Sequence, residues 1–434
     1  MTYFSSPTSR HLVVGLAVVS ATTVLLTGCG RAAAPSGAGA TAAVDDSPAT
    51  GTVTVWAPDG DAKTLSEVIA PFEKANPDLD VEVTLIPSSD YNTKLQAALS
   101  SGTGPDIAQV YTEAQTQFTG GGDFAPVPDG LVDSSAFFPG SWSAGVVDGV
   151  AYTVPWYAYT YALVYRKDLA AAAGVTPPTQ WSGLSPFLTG LQSAGAVKGL
   201  GADVGWDSYN GQDLAQYVWQ AGGDLLSADG KSWTLDTPEM VAAIEYNASF
   251  FTDGTADTSG PGFLDAQPYF VQGKTASMFT GPWVIGQLDA VAGSDGWTAE
   301  NVGTAPVPGG TAGSIGAVAG GSWGVLSGSD NADSSWKLIR YLAEPETQVS
   351  QYQANASLPA VQSAWTDPAI ADQPLLDAFF TQLQTARNYP QNSTWPQVAT
   401  HMGTVMEAVA KGAETPEAAA ADIQAFAENL GTGE

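Results

Sequence analysis

Cysteine is all but missing from this chain of 434 residues: its one copy, Cys29, stands ahead of any stretch that could fold. A disulfide framework or a thiolate metal site is therefore excluded beyond it. Histidine is nearly as scarce, with two copies, His11 and His401. His11 belongs to the leading segment, so a Ser-His-Asp triad or a histidine-based zinc site would have to rest on His401. His401 sits in an apolar helical run, where a satisfied helix residue is the plain reading. Basic residues are few as well: Lys and Arg number 14 against 44 Asp and Glu, a formal net charge of -30. Such a chain repels nucleic acid and anionic lipid, so neither is an expected partner. No G-x-S-x-G elbow, H-E-x-x-H pair or internal repeat occurs, and no metal or cofactor is expected. Gly273-Lys274-Thr275 resembles the end of a phosphate-cradling loop, but Pro268 stands where that loop needs a glycine.

What is present is aromatic. Charged residues make up only 13% of the chain, while aromatics reach 10% with 13 Trp. Disordered acidic chains lack that content, so the body folds beneath an acidic skin. Its length suffices for two or three domains.

The chain opens with an export signal over residues 1–28. Arg10 gives a positive start, and Leu12 to Leu26 is apolar apart from Gly15, Ser20 and Thr22-Thr23. Leu26-Thr27-Gly28-Cys29 then forms a lipobox, in which the cysteine is acylated and tethers the protein outside the cytoplasmic membrane. The apolar span is too short and too weak for a membrane-crossing helix. Residues 29–50 read as a flexible tether of Gly, Ala, Ser, Thr and Pro.

From Thr52 the pattern alternates. Val53 and Val55 mark a strand, Pro58-Asp59-Gly60-Asp61 a turn, and Leu65, Val68, Ile69 and Phe72 a helix. A strand with Val81, Val83 and Leu85 follows, then a helix from Tyr91 to Leu99, then the strand Ile107–Val110. This alternation predicts a mostly parallel sheet with helices on both faces. Ligands gather at the carboxyl ends of such strands, which brings Asp59, Asp61 and Glu113 to one rim. Further on, Trp156, Tyr157, Tyr159 and Tyr161 crowd six positions. Met278-Phe279 ends a short strand, Gly281-Pro282 breaks it, and Trp283 stands where strand hands over to helix. An indole there is either a core residue or a stacking platform.

Several segments together resemble a family. They are Gly104-Pro105-Asp106-Ile107, Val164 to Asp168, Trp219-Gln220-Ala221-Gly222-Gly223, Gly273 to Ala276 running into Gly281-Pro282-Trp283, Trp323-Gly324-Val325, and Ser334 to Ile339. In this order they resemble an extracellular solute-binding lipoprotein of a carbohydrate ABC importer, family 1, of the maltodextrin-binding type. The resemblance covers the chain from Thr52 to its end.

The resemblance implies an α/β fold of two lobes, the type II periplasmic-binding fold, each lobe a sheet with helices on both faces. A hinge of crossing segments near Tyr157–Tyr161, Gly320–Trp323 and Leu358–Pro359 would join them. Lobe 1 would hold residues 51–158 and 320–358, and lobe 2 residues 159–319 and 359–434. Sugar would lie in the cleft and draw the lobes together. Trp283 would stack on a sugar ring, Glu113 and Asp59 or Asp61 would take hydroxyls, Trp395 falls near a second stacking position and Arg387 near a sugar-binding arginine. Tyr157, Tyr159, Tyr209, Gly321 and Trp323 complete the expected ligand set. Relatives commonly carry an acid where Tyr159 stands, and a phenol both donates and accepts where an acid accepts twice. The expected partners are a small-molecule carbohydrate and the membrane subunits of an ABC permease, met by a monomer held by its lipid. A lipid-anchored glycoside hydrolase with paired carboxylates, or a binding protein for a non-sugar such as a polyamine, are the alternatives.

Overall fold

The structure, a computed structural model, describes residues 43–433 apart from 263 and 264, and these described residues form ten strands and their connecting helices. The signal segment 1–28, Cys29 and residues 30–42 of the tether lie outside the described residues.

The first sheet takes β1 (Gly51–Pro58), β2 (Leu79–Ile86) and β3 (Ile107–Tyr111) in parallel, with β1 between the other two. Val53, Val55 and Ala57 of β1 point inward in the period-2 alternation that the sequence shows. A two-stranded ribbon, β4 (Val146–Val147) and β5 (Val150–Ala151), stands apart. β6 (Val154–Tyr159) returns to the first sheet. The second sheet has three strands: β7 (Ala162–Arg166) between β8 (Ser277–Thr280) and β9 (Val302–Ala305). β10 (Ala319–Val325) completes the first sheet, whose order is β2-β1-β3-β10-β6.

The expected mostly parallel sheet needs correction. Only β1, β2 and β3 run parallel; β10 is antiparallel to both β3 and β6, and the second sheet is antiparallel throughout. The turn expected over Pro58–Asp61 also differs, because a helix begins at Asp59 and runs to Ala75. Its buried face of Ala62, Leu65, Val68 and Ile69 follows helical spacing, and Asp59 and Asp61 suit the positive end of its dipole.

Three segments pass between the sheets, and they run side by side. β6 ends at Tyr159 and β7 starts at Ala162, so two residues carry the chain across. The return from β9 enters β10 at Ala319, paired with Tyr159. The third segment lies along β6: the Ala158 amide donates to Leu358 O at 3.0 Å, and Tyr157 bridges Pro359. Gly320, at φ +149, has no room for a side chain, since a Cβ would strike the Tyr157 carbonyl.

The tether expected to reach residue 50 ends sooner. Lys337, with 3% of its side chain exposed, pairs with Asp45 and Asp333 at 2.8 Å each and donates to Ser47 Oγ at 2.9 Å. Ala49 is buried, and its amide donates to Asn76 Oδ1 at 2.8 Å. The stretch from Val44 to Thr50 is thus part of the fold, strapped to the helix Ala332–Leu342. His401 is the helix residue expected: it lies 2.9 Å from Asp422 and stacks on Phe426.

Candidate functional site

β3 ends at Tyr111, and the turn that follows, Thr112–Ala114, puts Glu113 at the carboxyl end of the first sheet. Two further elements face it. One is the crossing Tyr159–Thr160–Tyr161; the other is the helix Ser208–Ala221, capped by Asp207 through a reciprocal capping box with Asn210. These elements, with Ala317–Ala319 and the loop of Tyr389 and Gln391, enclose a cavity of about 220 Å³.

The walls divide by chemistry. Tyr159, Tyr161, Tyr209 and Tyr389 supply ring faces and hydroxyls, while Thr112, Ser208, Gln212, Gln216 and Gln391 supply hydroxyls and amides. Glu113 is the one carboxylate among the lining residues, and none of them is basic. Water reaches Glu113, yet protein crowds it on most sides, and this desolvation raises its carboxyl above the ordinary range. Gln216 is held on both ends, donating to Tyr389 OH at 3.3 Å and accepting from the Ala317 amide at 3.1 Å. Thr116 donates to Gln391 at 3.2 Å, which ties the segment after β3 to the loop that carries Tyr389.

Aromatic rings back this cavity in layers. Trp283, in the turn Pro282–Val284, meets Tyr159 edge to face at 5.4 Å and Tyr161 at 5.9 Å. Tyr157 lies parallel to Tyr159 at 6.5 Å. Gly281 permits the placement of Trp283, because a Cβ at 281 would collide with the indole.

Of the residues expected at the site, Glu113, Tyr159 and Tyr209 line the cavity. Trp283 and Tyr157 touch its lining rings. Trp395 stands one layer back, stacked on Tyr389 at 5.7 Å and on Trp233 at 6.3 Å. The others belong elsewhere. Trp323 is 1% exposed and packs against Trp156 in the core. Gly321 is buried within β10, where a side chain would strike Gln109 and Tyr157. Asp59 accepts from the Ser88 amide at 3.1 Å and pairs with Lys63 at 3.3 Å on the surface. Asp61 is buried and accepts from Gln109 at 2.7 Å, Gln351 at 2.9 Å and Asn355 at 3.2 Å, so its carboxylate joins three elements of the protein. Arg387 pairs with Asp224 at 2.7 Å and lies over the Trp219 ring. Sequence reasoning missed Gln212, Gln216 and Tyr389. Tyr389 stands in a polar, aromatic run, Ala386-Arg387-Asn388-Tyr389-Pro390, which is the signal that could have found it; the two glutamines carry no sign that separates them from other helix residues.

The described residues contain no helix long and apolar enough to cross a membrane. Comparison with known proteins gives a consistent picture. Among solved structures, the sugar-binding protein MalE of Xanthomonas citri is 27% identical and superposes with a TM-score of 0.81 over 88% of this chain and 97% of its own. An ABC transporter solute-binding protein of Thermotoga lettingae, bound with α-D-tagatose, is 23% identical with a TM-score of 0.69 over 86% and 99% of the two chains. A maltotriose-binding protein of Pyrococcus abyssi is 23% identical over 80% of this chain and 74% of its own. The fold is therefore the two-lobed α/β architecture of MalE-type binding proteins, with the three crossing segments as its waist. The family model for bacterial extracellular solute-binding proteins matches residues 57–349, and the chain belongs to that family.

Proposed function

We propose that this protein captures a carbohydrate outside the cell and delivers it, unaltered, to the membrane subunits of an ABC permease. The observation that carries this is the makeup of the cavity: tyrosine rings on several walls, with hydroxyls, amides and one carboxyl between them. Sugar rings present C–H faces and hydroxyl edges, and this lining meets each with its match. A hydrolase that uses two carboxylates would need a second one facing the same bond, and Glu113 is alone in this lining. At about 220 Å³ the cavity is small beside pockets of about 300–1,000 Å³ that hold drug-sized ligands, which favours a short ligand.

In this reading lobe 1 comprises residues 51–158 and 320–358, joined by the strap from Val44, and lobe 2 comprises residues 159–319 and 359–434. The protein works as a monomer, held to the outer face of the cytoplasmic membrane by acyl chains on Cys29. The test is a calorimetric titration of mono-, di- and trisaccharides against the parent, Glu113→Ala and Tyr159→Ala proteins. One or more sugars are expected to bind the parent at one site, with affinity falling at least about tenfold in each variant. Equal affinity in all three proteins contradicts the placement.

A further inference from the structure

A second, smaller cavity of about 40 Å³ adjoins the first, sharing Tyr161, Tyr209 and Gln212 with it. It sits beneath the helix Ser208–Ala221, against Met278 and Phe279 of β8. Its volume suits one small polar group, since a water occupies about 30 Å³ of liquid. Asp203, Asp213 and Asn247 contribute polar atoms, and no basic residue lines either cavity.

Two groups here have capacity left over. Tyr217 is only 7% exposed, lines this cavity, and its hydroxyl makes no hydrogen bond to any described residue. That hydroxyl can both donate and accept, so it keeps hydrogen-bonding capacity for a ligand. Asp213 has one long contact, from Gln216 Nε2 at 3.4 Å. The neighbouring acids are otherwise engaged: Asp207 caps the helix by accepting from the Tyr209 amide, and Asp203 accepts from the Gly205 amide. Both lie close enough to repel charge on Asp213, which burial and those two carboxylates push up to about 8. The cavity is thus lined by acids with no basic residue among them, and until a cation meets it Asp213 keeps its proton at neutral pH.

We propose that the inner cavity holds the protonated amine of an amino sugar whose ring lies in the outer cavity, with Asp213 accepting from the ammonium and the Tyr217 hydroxyl as its second acceptor. This rests on the carbohydrate reading above and narrows it to a ligand class. An ammonium donates three hydrogen bonds and supplies the positive charge that the lining lacks. An ammonium beside Asp213 favours its charged form and draws the proton off, whereas a neutral hydroxyl in the same place leaves the carboxyl protonated.

The test compares matched pairs, glucosamine with glucose, galactosamine with galactose and mannosamine with mannose, by calorimetry on the parent, Asp213→Asn and Tyr217→Phe proteins. At least one amino sugar is expected to bind the parent about tenfold or more tightly than its neutral partner. That ratio should fall to near one in Asp213→Asn and decrease in Tyr217→Phe. Thermal unfolding of each variant shows that the fold persists, and Tyr217→Phe keeps the test open should Asp213→Asn not fold. Neutral sugars that bind as well as their amino partners overturn this inference while leaving the carbohydrate reading intact. An amine preference that survives both substitutions also overturns it. Putrescine binding more tightly than every sugar overturns it and the carbohydrate reading together, as does the failure of every sugar to bind.

Discussion

Trp283 keeps its ring against Tyr159 and Tyr161 because residue 281 has no side chain. A methyl group there forces the indole away, at a cost of about 1–3 kcal/mol. Gly281→Ala should therefore lower the melting temperature and change the near-ultraviolet dichroism of the aromatic cluster; an unchanged spectrum contradicts the placement. Asp213 makes a second prediction. Its carboxyl is raised from an ordinary 3.8 to about 8 by burial and by Asp203 and Asp207, with the phenols of Tyr161, Tyr217 and Tyr389 also nearby. Between those values the folded protein holds a proton that the unfolded chain has released, so stability falls as pH rises from about 4 to about 8. Below that window the contribution is fully present. Asp213→Asn should raise the melting temperature over the parent more at pH 8 than at pH 5, and an equal difference at both would count against it. At this scale the sequence was only partly legible. Glu113 could be brought to the rim of the first sheet because it follows a strand, and Tyr159 to a crossing segment through the resemblance; Tyr209 carried no local sign of its place in the lining. Trp323 could not, since one tryptophan in a strand looks alike whether it faces a cleft or a core. Asp61 misled for a related reason: its amide partners Gln351 and Asn355 come about 290 residues later.

Individual elements were legible wherever a local signal defines them. Thr237-Pro238 and Thr415-Pro416 carry the local signature of a helix start and do start helices, each threonine accepting from the third amide beyond it, and Gly222 ends one in the left-handed conformation. Strand direction was not legible, because β7 pairs with β8 and β9 more than 100 residues away. Nor was the strap from Val44 to Thr50. Its composition reads as a linker, and its attachment depends on Lys337 and Ser334 far along the chain. Chains begun at Ala43 and at Gly51 test it. Loss of the strap removes the Asp45 and Ser47 partners of a buried ammonium and the Asn76 bond to Ala49. The shorter chain should melt a few degrees lower, for about 1–3 kcal/mol. Identical melting curves would show that the strap is idle.

Across the whole molecule, two sheets joined through three adjacent segments make a waist, and the cavity opens beside it. Every wall of that cavity comes from a different part of the chain, so closing the lobes on a ligand is what would complete the lining. A bound sugar should then draw the protein together, seen as a smaller radius of gyration in solution scattering. The central claim is capture without chemistry. The most direct measurement is a calorimetric titration with the carbohydrate that binds best, followed by mass analysis of the ligand recovered from the complex after long incubation. The account predicts one site per chain, affinity lost in Glu113→Ala, and the sugar recovered whole. Recovery of cleaved sugar, or an absence of binding by any carbohydrate, would contradict it.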